Sequence, residues 1–213
     1  MKKGFVFVIL TALLLCLIPT AFAADFEPVS LTAEQNYAMN LFLSNFTETG
    51  VDRVDSFTDH DALAIFGHHH LWCNDYEAFE YGEYFNDNNC RISSDRVLET
   101  INNYFYYENS GAEYLNQDIF DEDDEYYYHC ETGGWSDYGF AYVTSVCPIG
   151  DDKYFVSFLN FCNAQPWEND VLNDALDAII QEYGTPISYG SALIHTDDLA
   201  NRNSYKMISY SLV

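Results

Sequence analysis

The sequence predicts an α+β protein in which N-terminal helices pack on an antiparallel β-sheet. Apolar residues recur at helical spacing in the first half of the chain. Aromatic and β-branched runs, separated by turn residues, fill the second half. Removal of a 23-residue leader from 213 residues leaves 190, which is enough for one hydrophobic core. An NTF2-like cone, in which a curved sheet wraps helices around a pocket, is the alternative arrangement.

Residues 1–23 have the features of a secretory signal peptide. Two lysines open the segment, an apolar run follows at 5–18, and residues 21–23 (Ala-Phe-Ala) match a cleavage site. We therefore expect a single domain over residues 24–213, exported from a bacterium and soluble outside the cytoplasm. No other apolar run reaches spanning length, so we expect no membrane partner after the leader is removed.

Start signals and apolar spacing predict three helices in the first half of the chain. Residues 32–35 (Thr-Ala-Glu-Gln) fit a capping box, and an apolar stripe over 39–46 follows it. A second helix is expected over about 58–73. The third is expected after residues 93–94 (Ser-Ser), both of which favour the N-cap position.

Five strands and one further helix are predicted in the second half. The first three strands are expected to form an antiparallel meander and the last two a hairpin, because Gly- and Pro-containing turns separate them. The helix is expected between the meander and the hairpin, from about residue 168 to residue 183. The predicted strands are 125–130, 139–147, 153–162, 187–195 and 204–212.

The cysteines remaining after the leader is removed predict one disulfide. A bridge between Cys73 and Cys90 closes a loop of about 17 residues and stabilises the fold by roughly 3 kcal/mol. A turn near residues 150–152 sets Cys147 opposite about Val156 and Cys162 opposite about Ala141. These two cysteines then lie about 20 Å apart, beyond the ~7 Å that a disulfide allows between Cα atoms.

Three consecutive histidines in the segment FGHHHLWC raise the question of a metal site. On a helix that advances about 100° per residue, the three rings spread over about 200° and do not face one another. His69 falls among the apolar residues, His68 on the polar side near Asp61, and His70 at the boundary. We therefore expect no metal site, and retain His68 and His70 only as single candidates that need ligands from outside this helix.

The net negative charge and the lack of a common catalytic motif reduce the number of functions that the sequence allows. Loss of Lys2 and Lys3 takes the net charge from −26 to about −28, which repels phosphate backbones and excludes nucleic acid as a partner. A nucleophile elbow of the G-x-S-x-G type is missing from the sequence, and we expect no cofactor. The sequence leaves the question of an enzyme open and favours a non-enzymatic protein.

Aromatic residues suggest the kind of ligand. Trp135, Tyr138 and Trp167 lie in segments rich in carboxylates, a combination that suits sugars or peptides, and they are the candidate ligand-binding residues. We expect an extracellular binding or interaction module for a glycan or a peptide. The alternative is a secreted hydrolase, with or without the assistance of a metal ion, in which no catalytic residue is identified by pattern.

Three short segments carry a family resemblance. Residues 40–46 (NLFLSNF), 65–68 (IFGH) and 205–210 (YKMISY) resemble a group of uncharacterised secreted or lipid-anchored proteins of Clostridia-type Firmicutes. Those proteins have a similar FLSNF helix, an apolar helix with a histidine near its end, and a similar C-terminal strand. The resemblance implies an exported bacterial protein and carries no activity, and the lipid-anchor cysteine of some members is missing here.

Overall fold

The computed structural model describes residues 27–83, 89–106, 120–121, 125–129, 138–163 and 169–213. The helices within these ranges are α1 (Ala33–Thr47), α2 (His60–Asn74), α3 (Ser94–Tyr104) and α4 (Leu176–Tyr183). Short 3₁₀ turns lie at Tyr76–Ala78, Asn169–Asn173 and Arg202–Ser204. The strands are β1 (Arg53–Asp55), β2 (Glu80–Tyr81), β3 (Cys90–Ser93), β4 (Phe120–Asp121), β5 (Tyr126–His129), β6 (Tyr138–Gly150), β7 (Lys153–Asn163), β8 (Ser188–His195) and β9 (Lys206–Leu212).

The described strands form two antiparallel sheets. The larger sheet has the order β1-β9-β8-β7-β6, and the smaller has the order β2-β3-β5-β4. The first three helices precede strands β6 to β9 of the larger sheet in sequence, β1 lies between α1 and α2, and α1 packs along β6. The predicted α+β class, with N-terminal helices on an antiparallel sheet, is confirmed.

The N-terminal helices begin where their start signals predict. Thr32 Oγ1 accepts a hydrogen bond from Gln35 N at 3.2 Å, and Gln35 Oε1 accepts one from Thr32 N at 2.9 Å. This reciprocal pair is the predicted capping box. Asp59 caps α2 by accepting from Ala62 N at 3.3 Å. The α3 helix follows Ser93, which occupies the N-cap position without a side-chain cap hydrogen bond.

None of the helices in the described ranges is both long enough and apolar enough to cross a bilayer.

The helix predicted from about residue 168 is divided in the structure. A 3₁₀ turn covers Asn169–Asn173 and α4 begins only at Leu176. In a continuous α-helix, the carbonyl of Leu172 would accept from the backbone N–H of Leu176. That carbonyl instead accepts from Asn40 Nδ2 at 3.1 Å, a tertiary hydrogen bond to α1.

The predicted meander is wrong in its first strand. β5 pairs with β3 in the smaller sheet, with Tyr127 opposite Ile92, and does not join β6. The sequence pattern did not predict β3, the strand with which β5 pairs. Strands β6 to β9 follow one another in the larger sheet, and α4 is inserted between β7 and β8.

The β6–β7 hairpin forms with a register slightly different from the predicted one. Cys147 pairs with Phe155 and Cys162 with Gly139, one and two positions from the expected partners. Irregularities between Val143 and Ser145 and between Pro148 and Gly150 account for the shift, because each bulge adds a residue to one strand only.

Polar side chains of α1 cover the outer edge of β6. Val143 N donates to Asn40 Oδ1 at 2.7 Å, and Ala141 N donates to Ser44 Oγ at 3.0 Å. Further along the strand, Val29 N donates to Val146 O at 2.8 Å. An uncovered edge strand offers unpaired backbone groups to other chains. These contacts satisfy that edge within the protein and fix α1 beside the sheet.

The main core lies between the first three helices and one face of the larger sheet. Phe46 and Phe66 stack with ring centroids 4.5 Å apart, and Tyr210 of β9 lies 5.4 Å from Phe46. Gly67 allows α3 to approach α2 closely, because a Cβ atom there would lie 3.0 Å from the side chains of both Val97 and Ile101. The close approach of these helices positions the end of α3 beside α1.

Candidate ligand-binding cleft

A cavity of about 370 Å³ opens where α1, the end of α3 and the 3₁₀ turn Arg202–Ser204 meet. This volume lies at the lower end of the range of ~300–1,000 Å³ typical of small-ligand pockets. The cleft combines two aromatic rings, three carboxamides and one guanidinium group. The described residues that line it are Phe42, Asn45, Asn103, Tyr104, Arg202 and Asn203.

Two of the carboxamide residues are anchored by hydrogen bonds. Asn45 Nδ2 donates to Leu41 O at 2.8 Å, while its Oδ1 accepts from the hydroxyl of Tyr104 at 3.4 Å. The backbone carbonyl of Asn103 accepts from Lys206 Nζ at 2.8 Å. Asn103 and Asn203 are exposed, and within the described ranges their side chains make no hydrogen bond. These two amides are therefore available to a ligand.

Tyr104 forms the aromatic wall of the cleft. Its ring stacks on Phe42 at 5.9 Å and lies 4.5 Å from the ring of His70. Burial raises the pKa of the Tyr104 hydroxyl to about 12. Arg202 acts to lower this pKa, and Glu48 acts to raise it. The hydroxyl is therefore a neutral group at physiological pH, able to donate and to accept a hydrogen bond.

A partly buried acid, Glu48, acts electrostatically on Tyr104 and does not line the cleft among the described residues. Glu48 follows the last turn of α1, and Asn74 Nδ2 donates to its Oε1 at 2.7 Å. Burial raises the pKa of Glu48 to about 7, although the hydrogen bond from Asn74 lowers it in part. A carboxyl group with this pKa exchanges protons near neutral pH, the property that general acid–base catalysts need.

His70 lies next to this acid and is neutral. The side chains of Glu48 and His70 are 12% and 10% exposed, and His70 Nδ1 lies 3.9 Å from Glu48 Oε1. Asn74 Nδ2 lies 3.2 Å from the same ring nitrogen. Burial lowers the pKa of His70 to about 4, so the pair is not an ion pair at neutral pH. Asn74 Nδ2 also donates to His70 O at 3.1 Å, so its two protons are shared among three acceptors around Glu48 and His70.

The predicted faces of the three histidines are wrong. His68 is 1% exposed and packs edge-on against Phe79 at 5.5 Å. His70 is also buried, stacked on Phe66 at 5.6 Å. His69, predicted to pack in the core, is only partly buried, and its Nδ1 lies 2.9 Å from Thr49 O. This carbonyl can only accept, so His69 Nδ1 carries the proton in that contact.

Small residues explain why the helical wheel misplaced these rings. The buried side of α2 comprises Leu63, Ala64, Phe66, Gly67, His68, His70 and Leu71. At about 100° per residue this arc is centred near Gly67, which is the point where α3 crosses. Counting only large apolar residues hid this face, because alanine and glycine mark the closest helix approach. The two candidate ligands His68 and His70 therefore lie in the core, and no group of three or more potential metal ligands occurs among the described residues.

The predicted disulfide between Cys73 and Cys90 is not formed in the structure. Cys73 is in the last turn of α2, where burial and the nearby Glu48 raise the pKa of its thiol to about 12. Cys90 begins β3 and is buried in the smaller sheet. A loop that connects two cysteines in sequence does not by itself bring their Cβ atoms to the ~4 Å separation of a disulfide.

The candidate aromatic ligand residues lie almost entirely outside the described part of the chain. Trp135 and Trp167 are outside the described residues. Tyr138 begins β6, where its backbone pairs with Asn163. None of the three is among the described residues that line the cleft.

Sequence reasoning missed the residues that form the cleft. Asn45, Asn103 and Arg202 are distant in sequence and belong to no motif. The nearest signal was the FLSNF segment, whose asparagine is Asn45. The fold and cleft together define a two-sheet α+β protein with a polar cleft at the junction of two helices and a 3₁₀ turn.

Comparisons with known proteins supply no further indication of function. The chain matches no protein-family model, and comparisons with curated proteins and with solved structures give no significant match.

Proposed function

We propose that this chain is an exported bacterial binding module, without enzymatic activity, whose cleft takes a saccharide. The observation that carries the proposal is the meeting of Asn103, Asn203 and Arg202 beside the ring of Tyr104 in one cavity. Carboxamides and guanidinium groups hydrogen-bond to sugar hydroxyls and ring oxygens. An aromatic ring contacts the apolar face of a pyranose. A peptide ligand is the alternative occupant.

The proposed ligand class agrees with the state of the polar groups around the cleft. The two exposed amides make no side-chain hydrogen bond within the described ranges, so a ligand does not have to displace internal partners. Asn45 and Tyr104 are held by packing and by their mutual hydrogen bond. A site with positioned groups loses less conformational entropy when a ligand binds.

A glycan array probed with the mature chain, residues 24–213, tests the proposal, followed by titration calorimetry on the glycans that bind. The double variant Asn103→Ala/Asn203→Ala should weaken binding about tenfold or more, because each lost hydrogen bond contributes about 0.5–1.5 kcal/mol. Asn173→Ala is the matched control, since Asn173 is exposed and is not among the residues lining the cleft. Unchanged affinity in the double variant contradicts the proposed site.

A hydrolase is the second candidate function, and Glu48 is the observation that favours it. A carboxyl group with a pKa of about 7 lies beside a neutral histidine and acts electrostatically on Tyr104, which lines the cleft. Release of reducing ends from a polysaccharide panel tests this function. Turnover by the wild-type protein that is lost in Glu48→Gln supports a hydrolase. Glycan binding without turnover supports the binding module.

A further inference from the structure

The cleft has a charge opposite to that of the whole protein. The chain has 34 acidic and 8 basic residues, with a net charge of −26. None of the described residues that line the cleft is acidic, and one of them is Arg202. The described lining therefore presents no carboxylate directly to an anionic ligand.

Arg202 makes no ion pair with any residue that the structure describes, whereas two other arginines do. Arg91 Nε lies 3.0 Å from Glu80 Oε2, and Arg96 Nη2 lies 2.7 Å from Asp75 Oδ2. Arg202 is exposed at the cleft, where its charge acts on the Tyr104 hydroxyl. Its guanidinium group is thus available to a ligand on the same surface as the carboxamides.

A second cation, the ammonium group of Lys206, lies at the end of α3 that borders the cleft. Lys206 Nζ donates to Asn102 O at 2.7 Å and to Asn103 O at 2.8 Å, near the C-terminal end of α3. The last carbonyls of a helix have a partial negative charge, which a lysine at this position offsets. Lys206 therefore reduces the repulsion that the end of α3 would exert on an anionic ligand.

The chemical groups that line the cleft indicate which class of ligand it binds. A guanidinium group binds a carboxylate through two parallel hydrogen bonds, with better geometry than an ammonium group gives. Asn103 and Asn203 provide partners for hydroxyls, and Tyr104 and Phe42 provide an apolar wall. We infer that the cleft binds a saccharide that bears a carboxylate, such as a uronate, and that Arg202 binds the carboxylate. The inference rests on the proposed glycan-binding function and specifies its ligand.

Calorimetric titration of the mature chain with trigalacturonate and with its methyl ester tests the inference. The ester keeps the hydroxyls and the ring shape and removes the charge. We expect the acid to bind about 10- to 100-fold more tightly than the ester, as loss of a charge-assisted hydrogen-bonded pair predicts. Affinity for the acid should also fall as salt rises from about 50 to 500 mM, because salt screens exposed charges.

Three variants distinguish the effects of the Arg202 charge, of the planar shape of its guanidinium group and of the net charge of the protein on the preference for the acid. Arg202→Gln should remove the preference for the acid over the ester, and Arg202→Lys should retain only part of it, because the lysine lacks the planar fork. Arg53→Gln is the matched control. Arg53 is exposed and lines a different cavity with Asp55 and Phe155, on the larger sheet. The control should leave the preference unchanged while altering the net charge by the same amount.

The outcomes distinguish the inference from the function on which it rests. Equal affinity for acid and ester overturns the inference, and the proposed glycan-binding function still stands if Asn103→Ala/Asn203→Ala weakens both. A preference for the acid that survives in Arg202→Gln overturns the assignment of Arg202. If neither trigalacturonate nor the ester binds, the uronate inference is overturned, and the neutral sugars of the glycan array then decide the proposed function.

Discussion

Replacement of Asn40 by leucine tests whether hydrogen bonds from α1 stabilise the edge of the larger sheet. Asn40 is 0% exposed. Its Oδ1 accepts from Val143 N at 2.7 Å, and its Nδ2 donates to Leu172 O at 3.1 Å. Leucine is similar in size, so the change removes both hydrogen bonds without leaving a large cavity. One side chain thus connects α1, β6 and the 3₁₀ turn before α4.

The expected loss of stability follows from the two backbone groups that leucine leaves without partners. Each buried and unsatisfied group costs about 1–3 kcal/mol, so we expect the free energy of unfolding to fall by about 2–6 kcal/mol. This is a large fraction of the 5–15 kcal/mol that ordinary domains have. Urea denaturation followed by circular dichroism measures the change.

A control on the same helix distinguishes this mechanism from general damage to α1. Asn36 lies one turn earlier, is partly exposed, and makes no side-chain hydrogen bond with the described residues. Asn36→Leu should change stability by less than about 0.5 kcal/mol, as surface substitutions generally do. A loss below about 1 kcal/mol in Asn40→Leu, with an unchanged denaturant slope, would refute the argument.

Three further predictions concern buried groups. The pKa of Glu48 is raised from 4.5 to about 7 in the folded state, so stability falls as pH rises through this interval. Glu48→Gln should therefore stabilise the protein above pH 7 by up to about 3 kcal/mol and have little effect near pH 4, as measured by urea denaturation at both values. Gly190 lies beneath the ring of Phe158, where a Cβ atom would approach a ring carbon to 2.0 Å. Gly190→Ala should lower the free energy of unfolding by about 1–3 kcal/mol, and an unchanged melting temperature would contradict this packing. The pKa of the Cys73 thiol is raised to about 12, and mass-mapped alkylation at pH 8 should be far slower at Cys73 in the folded than in the unfolded protein. Equal rates would show that Cys73 is more accessible than the structure indicates.

Local sequence signals predicted the helices of the first half well. Thr32 and Gln35 form the predicted capping box, and α2 begins within two residues of its expected start. These signals work because a cap satisfies backbone groups within three residues, a contact that is independent of the rest of the fold. Strands β6 to β9 of the larger sheet also lie where aromatic and β-branched runs predicted them, whereas β1 was not predicted.

Most of the wrong predictions concern contacts between segments that are distant in sequence. β5 was expected next to β6, but the short strand β3 pairs with it instead. The helix before β8 was expected to be continuous, but its Leu172 carbonyl accepts from Asn40, 132 residues away. The Cys73–Cys90 disulfide was expected from the length of the intervening loop, but the bond is not formed, with Cys73 partly buried in α2 and Cys90 buried in β3. The first two errors concern a partner that lies far away in sequence.

The sequence by itself determined the α+β class, the helix caps and the strongly acidic charge, because these depend on residues near one another in the chain or on composition alone. Only the tertiary structure decided which face of α2 is buried, since the close approach of α3 at Gly67 turns His68 and His70 into the core. The tertiary structure also determined which residues form the cleft. Asn45, Tyr104 and Arg202 become neighbours only when α1, α3 and the turn before β9 pack together, and no local pattern records that meeting.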